Sequence, residues 1–242
     1  MKLQKLYSYV RQAIEDYHMI EENDRIAVGI SGGKDSLSLL YALAGLQKFY
    51  PVRYSLCAVT VDLGFTPFAV DKIQELCEQL QVEYHVVKTD IGQIVFEERN
   101  EKSPCSLCAK MRKGALNDYI AKLGYNKVAY AHHMDDLIET MLLSLIYEGR
   151  FYTFPPVTQL TRSKLTVIRP LMYVPEADVI GFQNKYELPV IKNPCPADHM
   201  THREYVKDIV RQLNRENPGV KKRLFHAIIN GNIEGWNCYG DT

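Results

Sequence analysis

Side chains able to do chemistry concentrate at three places in this chain of 242 residues. The first is Ser31-Gly32-Gly33-Lys34-Asp35-Ser36, which follows the apolar run Ile26–Ile30 and precedes Leu37, Leu39, Leu40 and Leu43 at helical spacing. A strand, a glycine turn and a helix in that order point backbone N–H groups and the positive end of a helix at one place, as a phosphate requires. Gly32 and Gly33 tolerate positive φ and put no Cβ between backbone and ligand. Ser31 and Ser36 add hydroxyl donors, and Lys34 adds a point charge. The spacing is neither G-x-x-x-x-G-K-[ST] nor G-x-G-x-x-G, which excludes a Walker A loop and a dinucleotide fingerprint.

The second place is Pro104-Cys105-Ser106-Leu107-Cys108, a C-x-x-C where a helix should begin. Two thiolates at this spacing grip one metal or cluster, and a helix N-terminus favours the thiolate form. A thioredoxin-type dithiol is disfavoured, because this helix does not follow the first strand of such a fold. A closed zinc site needs four ligands, whereas three cysteines with an open position suit an iron–sulfur cluster. Cys195, in Pro194-Cys195-Pro196, is the other cysteine held in a constrained turn, so spacing alone leaves zinc and cluster open. Cys57 and Cys77 read as core residues. The third place is His132-His133-Met134-Asp135-Asp136, after an apolar run at 127–131. Its histidines suit phosphoryl oxygens or a hydrogen-bonded core, and its acids suit Mg²⁺ or a helix cap.

The hexapeptide Ser31–Ser36 resembles the PP-loop of the ATP pyrophosphatase superfamily, whose members split ATP between the α and β phosphates. Taken with Cys105 to Leu116, His132 to Asp136, Ile168-Arg169-Pro170-Leu171, Cys195 and Arg203, in that order, it is similar to the TtcA-type tRNA 2-thiocytidine-forming enzymes from about residue 24 to 230. The resemblance implies a 4Fe–4S cluster on Cys105, Cys108 and Cys195, ATP with Mg²⁺ in the loop, and transfer of sulfur to the cytidine at tRNA position 32. As site residues it suggests Ser31, Gly32, Gly33, Lys34, Asp35, Ser36, Asp62 and His132 for the nucleotide, with Asp35, Asp135 and Arg112 in catalysis. Arg169 and Arg203 are further candidates for phosphate contacts or plain ion pairs. The 2-thiouridine-forming enzymes (TtuA-type) resemble the same core but usually add terminal cysteine pairs that are missing here. They carry a lysine four residues after the second cysteine, where this chain has Arg112, as the TtcA group does. Some TtcA-type members have a further cysteine where this chain has Lys192, which weakens the choice of nucleoside rather than the chemistry. Uridine or small-molecule thiolation, and a nucleotide- or cluster-binding protein without turnover, are the alternatives.

Composition narrows the partners. The 29 basic and 29 acidic side chains cancel, so no overall basic excess announces a nucleic acid. Only local clusters such as Lys110 to Lys113 and Lys221 to Arg223 would serve, and a homodimer would pool them. No apolar run is long enough to cross a membrane, and the Met1–Lys5 opening reads as no signal peptide. That points to the cytoplasm, where cysteines stay reduced. A sulfur donor, for instance a cysteine desulfurase system, is an implied partner.

The elements that must position these groups follow from periodicity. Leu3, Leu6, Tyr7, Val10, Ile14 and Tyr17 mark an amphipathic helix over 3–20. Strands are expected at 26–30, 54–61, 82–88, 127–131 and 165–168. Helices are expected at 68–80, 108–123, 135–147, 175–186, 202–215 and 219–230. Strands alternating with helices argue an α/β fold, a parallel sheet with helices on both faces and ligands beyond the strands' carboxyl ends. The expected divisions are an N-terminal helix (1–24), a PP-loop domain (25–192) and a C-terminal helical extension (193–242).

Overall fold

The computed structural model describes residues 1–65, 70–98, 104–191 and 202–231. Cys195, and the turn around it, lies outside the described residues. In chain order the elements are α1 (Leu3–Asp16), β1 (Asp24–Ile30), α2 (Lys34–Leu46), β2 (Tyr54–Asp62), α3 (Val70–Leu80) and β3 (Glu83–Lys88). A short α4 (Ile91–Gln93) continues as a π-helical turn, Ile94–Glu98. Then come α5 (Pro104–Lys122), β4 (Lys127–Ala129) and α6 (Met134–Leu143), which ends in a second π-helical turn, Ser144–Glu148. The described residues end with β5 (Val157–Leu160), β6 (Leu165–Ile168), α7 (Glu176–Lys185), α8 (His202–Glu216) and α9 (Val220–Asn230).

The six strands form one sheet in the order β3-β2-β1-β4-β6-β5, parallel except for β5, which pairs antiparallel with β6 at the edge. The chain runs outward from β1 to β2 and β3, then crosses back to β4 on the other side of β1. The strand order therefore reverses between β1 and β4, where open α/β sheets leave a crevice for ligands.

Period-two alternation sorts the strand side chains onto two cores. Ile26, Val28 and Ile30 of β1, with Tyr54, Leu56 and Ala58 of β2, join a large core beneath α1, α2, α3, α6, α7, α8 and α9. Ala27, Cys57, Val59, Val128 and Val167 face the other way, against Leu116 and Ile120 of α5. Cys57 and Cys77 are buried, as expected of core residues, and burial pushes their thiols up to about 11 and about 12. Helix α1 buries Leu6, Val10, Ala13 and Ile14 on one stripe, and α8 and α9 add Val206, Val210, Phe225 and Ile228 to the same core.

Most expected elements form within a few residues. Helix α1 stops at Asp16 rather than residue 20, because the chain turns through left-handed His18 and Asn23 to enter β1. Helix α5 starts at Pro104, before the cysteines, so both lie in its first turns. The antiparallel strand β5 was not expected: its four residues are only partly covered at a sheet edge, and such a strand carries little hydrophobic pattern.

Candidate functional site

The phosphate-type loop is built by its own serines. The Ser31 amide donates to Ser36 Oγ at 3.2 Å, the Gly33 amide donates to Ser31 Oγ at 3.3 Å, and Ser36 Oγ–H donates to the Gly33 carbonyl at 3.0 Å. Gly32 sits at φ +81°, where a side chain would be strained. Gly33, at the N-cap of α2, has no side chain to occupy the first amides of that helix, and they are left for a ligand. The amide of Ile191 donates to the Gly32 carbonyl at 2.9 Å. The last described residue before the Cys195 segment is thereby tied to the loop.

Beside this loop is a cavity of about 250 Å³ at the carboxyl ends of the central strands. Its walls are Gly29, Ile30, Val59 and Val61 from the strands, Ser31, Asp35 and Ser36 from the loop, Arg112 and Leu116 from α5, Tyr130 to His132 after β4, and Asp136 from α6. A Cβ at Gly29 would come within 3.2 Å of Leu116, so glycine lets α5 lie close to the sheet here. Asp35 Oδ1 is buried with no hydrogen-bond partner among the described residues, and His133 Nε2 lies 3.7 Å from it. A buried carboxylate oxygen left unmatched has the donor chemistry of a cation ligand.

The two histidines separate cleanly. His133 is buried and caps α6: its Nδ1 accepts from the Asp136 amide at 3.3 Å, while Asp136 Oδ2 accepts from the His133 amide at 2.9 Å. His132 lines the cavity, with its ring centroid 4.3 Å from that of Phe154. Burial, then the charges of Arg169, Lys113 and Arg203, push its pKa down against the pull of Asp136, so it stays neutral at pH 7.

The two aspartates separate as well. Asp135 is buried and turned from the cavity: one oxygen accepts from the Glu176 amide at 2.7 Å, and the other is paired with Lys221 of α9. Asp136 is the acid that lines the cavity, and it also holds Arg203 of α8 at 3.1 Å. Arg203 reaches Glu139 Oε2 at 3.4 Å and Thr140 Oγ1 at 3.2 Å, so it forms an ion-pair network rather than a free anion contact. Glu139 is buried, and desolvation with the charge of Asp136 raises its carboxyl to about 7, although Arg203 opposes this. Nothing in the sequence singled out Glu139, yet its i+3 spacing from Asp136 places both on one helix face.

Lys34 is held by Asp35 Oδ2 at 3.1 Å and Glu176 Oε1 at 3.3 Å. Burial, the largest single influence, pulls its pKa down, but these two carboxylates more than reverse it. Glu176 is also paired with Lys207 of α8 at 2.9 Å; burial raises its pKa, but the lysines outweigh that and take it to about 2. Arg169 is buried on the face of Phe154, 5.0 Å from the ring centre, and donates to the Pro155 carbonyl and to Thr158 Oγ1. Asp62 lies at the end of β2 and accepts from the Gly64 amide at 3.0 Å. Gly64, at φ +78°, makes the turn that follows.

On α5, Cys105, Cys108, Arg112 and Leu116 are spaced i, i+3, i+7 and i+11, which puts them on one helix face. Arg112 and Leu116 of that face line the cavity. The thiols therefore continue the same wall toward the helix start, Cys105 exposed and Cys108 half-buried. Two thiols on one helix turn are a soft donor pair of the kind that holds zinc or iron–sulfur centres.

A parallel sheet that reverses at a glycine loop, with carboxylates, a neutral histidine and arginine around it, defines an ATP-handling protein of PP-loop class. The chain matches the PP-loop domain family over residues 3–213 and belongs to it. It is 41% identical over 231 residues to the tRNA-cytidine(32) 2-sulfurtransferase of Geotalea uraniireducens, covering 93% of this chain and 91% of that one, and 38% identical over 237 residues to the enzyme of the same name from Geobacter sulfurreducens, covering 97% and 91%. This places the chain in the tRNA-cytidine 2-sulfurtransferase family. Among solved structures it resembles the U34-tRNA thiolase NcsA from Methanococcus maripaludis, which carries a [4Fe-4S] cluster, with a TM-score of 0.77 and 26% identity, covering 96% of this chain and 80% of that one.

Proposed function

We propose that this protein replaces the C2 oxygen of a tRNA cytidine, at position 32, with sulfur, using ATP and an iron–sulfur centre. The observation that carries the reading is the shared wall of α5, where the two described thiols continue the face that Arg112 and Leu116 present to the cavity. The relatives' names supply the base and its position.

The C2 carbonyl of a pyrimidine is a poor electrophile because its oxygen leaves badly. Its oxygen attacks the α phosphorus of ATP, the bond to the bridging oxygen breaks, and pyrophosphate departs. Ser31, Gly32, Gly33, Ser36 and the first amides of α2 hold the departing pyrophosphate, and Lys34 neutralises it as it exchanges Asp35 for phosphate. Asp35 and Asp136, the two acids that line the cavity, would hold Mg²⁺. Asp135 supports them by fixing α6 to α7 and α9. Neutral His132 donates to a phosphoryl oxygen, and Arg112 steadies charge on the α phosphate; Asp62 shapes the rim at the nucleotide's far side. Sulfide then forms a bond to C2, the C2–O bond breaks, and AMP leaves.

Cys105 and Cys108, with Cys195, would hold the 4Fe–4S cluster, which when bound supplies an iron with an open position suited to sulfur. Among the described residues no helix is long and apolar enough to cross a membrane, and we place the enzyme in the cytoplasm. A sulfur donor such as a cysteine desulfurase system would feed it. A second copy of the chain is a reasonable partner for a substrate of this size.

The test is nucleoside analysis of an unmodified tRNA transcript incubated anaerobically with the protein, ATP, Mg²⁺ and sulfide. We expect 2-thiocytidine at position 32 and one AMP per thiolated base. A protein with any of the three cysteines changed to Ala should lose its absorbance near 400 nm and its product while still binding ATP. A thiouridine product, or a colourless zinc-bound protein with full activity, would overturn the reading.

A further inference from the structure

We propose that Tyr147, Phe151 and Tyr152 form a stacking platform for unpaired bases of the RNA substrate, at the outer end of a loop whose inner end packs against His132 in the cavity wall. The inference rests on the RNA reading above and says where the anticodon loop is gripped. Single exposed apolar side chains are ordinary, but here five fall close together along the chain. Leu145, Ile146, Tyr147, Phe151 and Tyr152 are 40%, 52%, 48%, 45% and 39% exposed, all within eight residues. A patch of that kind marks an interaction surface.

The route of the chain connects the patch to the chemistry. After α6 the backbone doubles back along that helix: Ser144 Oγ–H donates to the Arg150 carbonyl at 2.9 Å, and Thr153 Oγ1 donates to the Leu137 carbonyl at 3.0 Å. One residue further, the Phe154 ring lies on His132, a wall of the cavity, and Arg169 lies over that same ring. Tyr152 is two residues from Phe154, at most about 7 Å of chain. The outer ring, Tyr147, is itself supported by His202 of α8, with centroids 4.6 Å apart.

A base whose C2 oxygen must meet the α phosphate has to leave its stack. Its neighbours then lose a stacking partner, and aromatic side chains replace it without regard to sequence. The charge on this face argues for stacking rather than phosphate contact. Arg150 stacks over Tyr152 at 4.7 Å but is already matched by Glu148 at 2.6 Å. A second copy of the chain would also cover Leu145 and Ile146. Three of the five exposed side chains are aromatic, however, which suits bases better than a second apolar face.

The experiment measures binding of an unmodified tRNA transcript with cytidine at position 32 across a salt series, for wild type, Tyr147→Ala, Phe151→Ala, Tyr152→Ala and Phe151→Trp. Each alanine should weaken tRNA binding about tenfold, while Phe151→Trp keeps it and ATP affinity is unchanged throughout. The slope of log affinity against log salt should stay at the wild-type value, because no phosphate contact is removed. Two results would overturn the platform. One is wild-type tRNA affinity in all three alanine variants while wild type still makes 2-thiocytidine, which leaves the underlying reading intact. The other is a shift from dimer to monomer in sedimentation on alanine substitution, which gives the patch to a second copy. A wild-type protein that binds no tRNA overturns both the platform and the reading beneath it.

Discussion

At the scale of single residues, the site is decided by which of several like side chains faces inward. Asp35 and Asp136 face the cavity, whereas Asp135 is buried between Lys221 and the Glu176 amide. Asp35→Asn and Asp136→Asn should therefore cut AMP formation at least a hundredfold with little change in the urea midpoint. Asp135→Asn should instead lower stability by about 2 kcal/mol, the cost of losing a charge-assisted hydrogen bond between a buried carboxylate and half-buried Lys221. Equal stability losses in all three would remove the distinction. Glu139 gives a pH prediction. Its folded-state carboxyl is raised to about 7, so the stability it contributes is complete below its unfolded value and is lost as pH rises through 7. At about 1.4 kcal/mol per unit, the decline is about 3 kcal/mol at most. Urea titrations at pH 5 and pH 8 should show it in wild type and not in Glu139→Gln. A decline of the same size in both would mean Arg203 keeps Glu139 ionised.

At the scale of elements, α1 shows how tightly the helices are fitted. Gly45 on α2 faces α1, and a Cβ there would lie 1.8 Å from the Tyr7 hydroxyl oxygen and 2.6 Å from the ring carbon bearing it. Overpacking of this kind costs about 1–3 kcal/mol. Gly45→Ala should lower the urea midpoint accordingly, and Tyr7→Phe in the same chain should restore part of it, since the nearest clash is removed. A neutral Gly45→Ala would mean that α1 shifts freely on α2. Element identity was legible where periodicity was strong, as in α1, and in β1 and β2, whose two faces carry different cores. It failed for β5, a short edge strand whose partner is the only source of its hydrogen-bond pattern.

At the scale of the molecule, parts of the chain far apart in sequence meet around the glycine loop. The loop ends β1, α5 brings Arg112 to the cavity, and α8 and α9 supply Arg203, Lys207 and Lys221 to the acids of α6 and α7. The C-terminal helices thereby neutralise carboxylates that would otherwise repel a nucleotide. In a chain with no net charge, folding thus pairs the acids near the loop with cations from distant helices rather than relying on a basic excess.

The sequence by itself determined the loop, the strand that feeds it, and the C-x-x-C at the start of a helix, because these are set by backbone geometry over neighbouring residues; the structure added that the helix starts at Pro104, which puts Cys105, Cys108, Arg112 and Leu116 on one face. Only the tertiary structure decided between Asp135 and Asp136, between His132 and His133, and that Arg203 and Lys34 are ion-paired. Adjacent residues on a helix start point about 100° apart, and which one meets the cavity depends on what packs against the other. For Asp135 that partner comes from α7 and α9, tens of residues away, whereas His133 is turned by its own cap with Asp136 and His132 packs on Phe154.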